Sequence, residues 1–286
     1  MEILLIDIDS KIPNLALHKL ARWHEAQGDH VHWNLPMIRH AVNRIYASCV
    51  FTKNKADADE WAEFGADVGG TGYDLHKTLP AEIENYPCRI NWGFTTRGCI
   101  RKCPFCFVPE KEGMIHAVGD LYNVWDGVSK EVVLMDNNIL AMPKHFEKIA
   151  NQLIKERIRV DFNQGLDHRL LTDHAAKLLS QIRRSEYRFA FDNPNDDKSV
   201  LTAIEILKRN GIKRATWYVL VGFNTTQNED FYRLDLLKAH NQRAYVMRYD
   251  GCGKEYNDMA AWANQRQFFM KTSFAEFVKI RHGVKT

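Results

Sequence analysis

The chain has 286 residues, of which 45% are apolar and 26% charged, and a formal net charge of +3 with histidine neutral, so it is a globular chain long enough to bury a real core. So slight a charge announces neither a nucleic-acid nor a membrane partner, because those footprints come from clustered lysine and arginine. The apolar run within Met1–Asp7 is too short to span a bilayer and has no basic region before it; no secretory signal and a cytoplasmic location are expected.

In chain order, Ile3 to Ile8 reads as a strand, and Leu15 to about Gln27 as an amphipathic helix closed by Gly28. Strands follow at His30 to Leu35 and Tyr46 to Thr52, then a short helix from Ala56 to Phe64 ended by Gly65. Asp67 to Gly72 is a strand end running into a glycine turn. This βα alternation predicts a small parallel sheet over residues 1–85.

From Arg89 the alternation recurs with a longer period. Strands are predicted at 89–94, 131–136, 158–163, 187–192, 214–221 and 243–248. Helical periodicity lies between them at Lys144 to Glu156, Asp173 to Arg183, Ser199 to Asn210 and Glu229 to His240. Six βα units over residues 86–250 suggest an α/β fold of the partial (β/α)6, TIM-like barrel type, although a doubly wound open sheet would give much the same pattern. Residues 251–286 form a carboxyl-terminal extension: a turn at Asp250 to Lys254, a helix from Asp258 to Met270 rich in aromatics, and a basic tail, Lys279 to Lys285, read as a solvated end.

Of the six cysteines, at 49, 88, 99, 103, 106 and 252, three crowd into eight positions, unlike the even framework of a disulfide-stapled secreted domain. Cys99, Cys103 and Cys106 have the spacing C-x3-C-x2-C after the strand at 89–94, in a loop led by Thr95-Thr96-Arg97-Gly98. A zinc site usually wants a fourth ligand and C-x2-C pairs, and only His116 is near in sequence. Thiolates also hold iron-sulfur clusters, and three of them leave one iron of a cubane open to an external ligand.

With Phe105 at its aromatic position, this motif resembles that of the radical S-adenosylmethionine (SAM) superfamily, C-x3-C-x-aromatic-C after the first strand of a partial (β/α)6 barrel. The resemblance covers nearly all of residues 89–250. It implies a [4Fe-4S] cluster on Cys99, Cys103 and Cys106 whose open iron is chelated by SAM. Reductive cleavage of the sulfonium then gives a 5′-deoxyadenosyl radical that abstracts hydrogen from a substrate. It also implies a reducing partner such as flavodoxin or ferredoxin. Asp136 and Asn137 stand where the family's second strand meets the SAM amino group, with its usual Gly-Gly-Glu replaced. Gln164, Asp167 and Arg169, at the third strand's carboxyl end, could bind the SAM carboxylate, ribose or substrate, or merely cap a helix. Gly222 matches the fifth-strand glycine beside the adenine. Asp192 and Arg248 end the fourth and sixth strands, where functional and plain structural roles are both open.

Residues 1–85 resemble a shortened, Rossmann-like form of the cobalamin-binding-like domain that precedes many such barrels. The cobalamin motif survives only in damaged form at Asp74 to Leu79, and with so few strands cobalamin is not expected. Cys49, Cys88 and Cys252 show no ligand spacing, so a second cluster is not expected either. The substrate is open, with a nucleotide or nucleic acid a candidate. Two rival readings remain: a non-catalytic iron-sulfur electron carrier or sensor with Cys88 or Cys252 as fourth ligand, and a cobalamin-dependent radical SAM methyltransferase.

Overall fold

A computed structural model of the protein describes residues 1–183 and 186–283. It is mixed α/β with parallel sheets, and it divides into two compact units, 1–93 with 122–128, and 94–121 with 129–286.

In the first unit, β1 (Glu2–Asp7), β2 (His30–Trp33), β3 (Arg44–Ser48) and β4 (Asp67–Gly69) form a parallel sheet in the order β2-β1-β3-β4. The unbroken apolar run of β1 reflects burial on both faces, as parallel strands require. Ile3 and Leu5 pack with Leu17 and Leu20 of α1 (Leu15–Ala26) and Ile83 of α3 (Ala81–Glu84). Leu4 and Ile6 point the other way, onto Ala58 of α2 (Lys55–Glu63), Val68 and Cys49. The predicted third strand begins earlier and ends at Ser48, because the Asp9 carboxylate takes the amides of Val50 and Phe51, at 2.7 and 2.9 Å, out of the ladder. The strand predicted at 89–94 is reduced to β5 (Trp92–Gly93), and the short helix α5 (Leu121–Val124) lies at the edge of the 122–128 segment that belongs to this unit.

The second unit opens with a small antiparallel hairpin, β6 (Thr96–Arg97) with β7 (His116–Ala117), enclosing the short helix α4 (Val108–Glu112). Five parallel strands follow: β8 (Glu131–Leu134), β9 (Arg159–Phe162), β10 (Arg188–Ala190), β11 (Thr216–Val221) and β12 (Arg243–Arg248). β8 pairs with β9, and β11 with β10 and β12, while single parallel bridges, Arg159 to Arg183 and Leu166 to Phe189, link β9 to the β10 edge. The helices α6 (Pro143–Glu156), α7 (Asp173–Gln181), α8 (Asp197–Arg209) and α9 (Gln227–Ala239) each follow a strand.

Burial alternates along these strands. Val160, Phe162, Phe189, Trp217, Val219 and Val246 are buried, while Asp161, Arg188, Tyr218, Tyr245 and Met247 are half-buried or exposed. Helices cover the apolar face, as the Phe146 ring of α6 beside Phe162 illustrates, 6.4 Å between centroids. The opposite face is polar, an unusual finish for parallel strands, which commonly bury both sides.

The predicted helix at 258–270 breaks into α10 (Tyr256–Ala263) and α11 (Arg266–Lys271). The break occurs because the Asn264 side chain bonds both the amide and the carbonyl of Val246, at 2.6 and 3.1 Å. A further helix, α12 (Phe274–His282), starts at a capping box of Ser273 with Glu276 and buries Phe277. The tail read as a solvated end is exposed from Lys279 to Gly283 and helical through His282; Val284 and Lys285 lie outside the described residues. Among the described residues no helix is long and apolar enough to cross a membrane.

Candidate functional site

The cysteine loop is held from below by the end of β8. Asp136, almost wholly buried, accepts hydrogen bonds from the Thr95 amide at 3.1 Å and hydroxyl at 2.8 Å, from the Thr96 hydroxyl at 2.6 Å, and from the Thr96 amide, all on Oδ1. Its Oδ2 is buried without a partner, and burial, only partly offset by those donors, pushes its carboxyl up. Asn137 Oδ1 accepts from the Gly98 amide at 3.1 Å. Gly98 has φ +82°, and a Cβ there would meet the Met114 carbonyl at 2.6 Å, so only glycine lets the loop pass. The Cys99 amide then closes onto the Gly113 carbonyl at 3.1 Å. Asp136 Oδ1 and Asn137 thus anchor the loop.

Their neighbour Asn138 approaches a thiol. Its Nδ2 lies 3.5 Å from Cys99 Sγ and 3.3 Å from Asp167 Oδ2, while its Oδ1 is buried with no partner. The sequence signal for Asn138 was present, one residue beyond the two singled out.

All three loop cysteines are free thiols, neither fully buried nor fully exposed. Burial pushes the Cys103 and Cys106 thiols up, and the negative charges of the neighbouring cysteines and Asp192 add to it. The Arg169 guanidinium opposes this at Cys103, and the Val108 amide at Cys106. Three free thiols on one loop, two of them resisting ionisation until a positive charge arrives, are a donor set suited to a cationic iron-sulfur group. The sulfurs themselves are not drawn into a ligand cage: among the described residues no group of three or more His, Cys, Asp or Glu is gathered closely enough to hold a metal ion. The fit is one of donor chemistry and loop, not of preformed geometry.

Asp167 is the hub beside that loop. Its carboxylate bridges Arg101 Nε of the cysteine loop, at 2.8 Å, and Arg169 Nε, at 2.7 Å. Burial alone would raise its carboxyl, but the two arginines outweigh it and hold it below the usual carboxylate range. It also caps the following turn through the Arg169 amide at 3.2 Å, so the capping and charge-binding roles coexist. Gln164 is separate from this hub and lines a cavity on the polar face of the strands.

Asp192 lies in the same electrostatic field, acting on Cys103 and Cys106 while its Oδ1 accepts from the Leu220 amide at 2.9 Å. Phe105 stacks edge-on against Phe223, centroids 5.4 Å apart, and Phe223 in turn against Tyr249 at 4.6 Å, so three loops share one aromatic wall. Gly222, φ +76°, leaves no room for a Cβ, which would fall 2.5 Å from Cys252 Cβ. Arg248 is exposed and bonds Asn257 instead of pointing to the cysteines. Of the remaining cysteines, Cys49 is buried in the first unit, its thiol 3.3 Å from the Phe51 carbonyl.

One participant was not foreseen. Arg233 of α9, fully buried and paired with Asp230, donates to the carbonyls of Phe191, Asp192 and Leu220 at 2.7, 2.9 and 2.8 Å. It ties the carboxyl ends of β10 and β11 together where Asp192 is presented. A charged residue in mid-helix reads in sequence as a solvated one, so nothing local could have found it.

The sequence matches no protein-family model and aligns significantly with no curated protein.

Proposed function

We propose that the second unit is a radical SAM enzyme, a partial (β/α)6 barrel, preceded by a short Rossmann-like domain that does not bind cobalamin. The observation that carries the reading is Asp167 bridging Arg101 and Arg169 next to three free thiols of C-x3-C-x2-C spacing. Cys99, Cys103 and Cys106 would hold a [4Fe-4S] cluster. When bound, it supplies the electron that splits the sulfonium C–S bond of SAM, with flavodoxin or ferredoxin as donor in a reducing compartment.

The chain's own residues then have separable tasks. Asn138 Oδ1, buried and unpartnered beside Cys99, offers an acceptor to the SAM ammonium. Arg169, held by Asp167, presents a cation to its carboxylate. Phe105, Phe223 and Tyr249 form an apolar wall that keeps water from the reactive carbon.

Anaerobic reconstitution tests this. Wild-type protein should take up about four irons, as a cubane contains, and form 5′-deoxyadenosine from SAM under dithionite. Alanine at any one of Cys99, Cys103 or Cys106 should remove both, and Arg169→Ala should keep the iron but weaken 5′-deoxyadenosine formation. Full iron without any 5′-deoxyadenosine, or loss of iron in Cys252→Ala, would sink the reading in favour of an electron carrier.

A further inference from the structure

The polar face of β9 to β12 is ordered in rows across the sheet. Arg188, Thr216 and Arg243 are register partners in the first row, and Ala190, Tyr218 and Tyr245 in the second. Leu220 and Met247 follow in a third, where the Leu220 amide meets Asp192. Successive rows are two residues, roughly 6 to 7 Å, apart along the strands. A cavity of about 650 Å³ runs over these rows, with Gln164 and Asn163 on its wall.

A second cavity of about 740 Å³ shares Arg266 with the first and adds Arg214 and Lys271. Five cationic side chains, Arg188, Arg214, Arg243, Arg266 and Lys271, therefore line the two cavities against one acid, Glu186. Ion pairs with Asp161 and Glu186 neutralise Arg188 and Arg243. Among the described residues Arg214, Arg266 and Lys271 enter none of the ion pairs that hold Arg188 and Arg243. The Arg243 Nε is buried without an acceptor. Beside these donors stands an open aromatic pair: Tyr218 and Tyr245 meet edge to face at 5.7 Å, with Tyr245 46% exposed. Tyr218 is fixed by its hydroxyl on the Asn163 carbonyl at 2.8 Å.

Parallel strands gain nothing in stability from a cationic, aromatic and half-open face, so the arrangement calls for a ligand that is anionic and planar at once. We propose that this face binds a single-stranded nucleic acid, one base against Tyr245 and Tyr218 and its flanking phosphates on Arg266, Arg214 and Lys271. A free nucleotide offers the same chemistry, but it would leave the second basic cavity without a use. A base in the tyrosine row lies one row from the Leu220 amide that donates to Asp192, and the Asp192 charge is felt at Cys103 and Cys106. The proposal rests on the radical SAM reading for its consequence, a nucleotide of the strand as substrate, but not for the binding itself.

The experiment is fluorescence anisotropy of the full chain with labelled mixed-sequence 12-mers of single-stranded RNA and of single-stranded DNA, with the four ribonucleoside monophosphates as competitors. The 12-mer of one sugar type or both should bind, weakening with salt. Tyr245→Ala should weaken binding by about tenfold to a hundredfold, the range for loss of one stacked base. Arg266→Glu and Lys271→Glu should each weaken it at least about tenfold and lower the salt slope by about 0.7 for every phosphate no longer neutralised. Thermal unfolding of each variant is run alongside, and Arg266→Gln serves if the charge reversal does not fold. Monophosphates binding as tightly as the 12-mers would overturn the strand proposal. So would 12-mer affinity indifferent to Tyr245 and Arg266, or no binding at all. Because the assay needs neither iron nor SAM, its failure leaves the 5′-deoxyadenosine result standing, and the converse also holds.

Discussion

Replacing Arg233 by methionine is the sharpest test of how the site is held. The side chain and its partner Asp230 have no solvent exposure, and its guanidinium serves the Phe191, Asp192 and Leu220 carbonyls as well as the Asp230 carboxylate. Methionine fills much of the same volume but takes the guanidinium donor away from three carbonyls and leaves one buried carboxylate without a counter-charge. The Thr225 hydroxyl, at 2.7 Å, the Gly222 amide, at 3.4 Å, and the Tyr256 hydroxyl still reach that carboxylate, but none of them carries a positive charge. Removing one partner of a buried pair costs about 3–5 kcal/mol. At about 2–4 °C per kcal/mol for a unit of this size, Tm should fall by about 6–20 °C. The double variant Asp230→Asn with Arg233→Met buries no lone charge and should recover part of the loss. Thermal and urea unfolding, followed by far-ultraviolet circular dichroism, measure both. A single variant within about 1 kcal/mol of wild type, or a double variant no better than the single, refutes the claim that Arg233 ties β10 to β11.

Gly98→Ala should lower iron uptake on reconstitution and cost more than about 1 kcal/mol, because φ +82° and the Met114 carbonyl leave no place for a methyl. Gly113→Ala, with φ +69° but nothing within 4 Å, should cost less and keep more iron; equal effects would refute the steric account. Asp9 supplies a pH test in the first unit. Burial would raise its carboxyl, but donors from Val50, Asn54, Phe51 and Cys49 outweigh it and hold it low. The stabilisation is therefore complete above the unfolded value of about 3.9 and is lost as pH falls through the lower folded value. Asp9→Asn should cost about 1–3 kcal/mol at pH 7, and the gap to wild type should close towards pH 2 in urea unfolding; a gap independent of pH contradicts the assignment.

What was legible in the sequence was local. Apolar runs, alternation and 3.6-residue patterns located β1, β2, α1, α2 and the strand and helix succession from β8 to β12, because each pattern follows from which residues an element turns to the core. The cysteine spacing and the glycine before it announced the loop, since a tight turn and its donors lie within one short segment. Errors came where a distant side chain competed with the backbone: Asp9 ended β3 early, and Asn264 split the last predicted helix.

Tertiary structure alone decided the rest. It gave Asp136 to the threonines and Asn138 to Cys99, and it let Asp167 gather Arg101 from 66 residues away. It also turned a chain whose net charge is only +3 into one with a basic, aromatic face, by bringing Arg188, Arg214, Arg243, Arg266 and Lys271 together from separate strands, loops and helices. Composition averages charge over the whole surface, whereas binding depends on which charges share a few ångströms, and only the folded chain sets those distances.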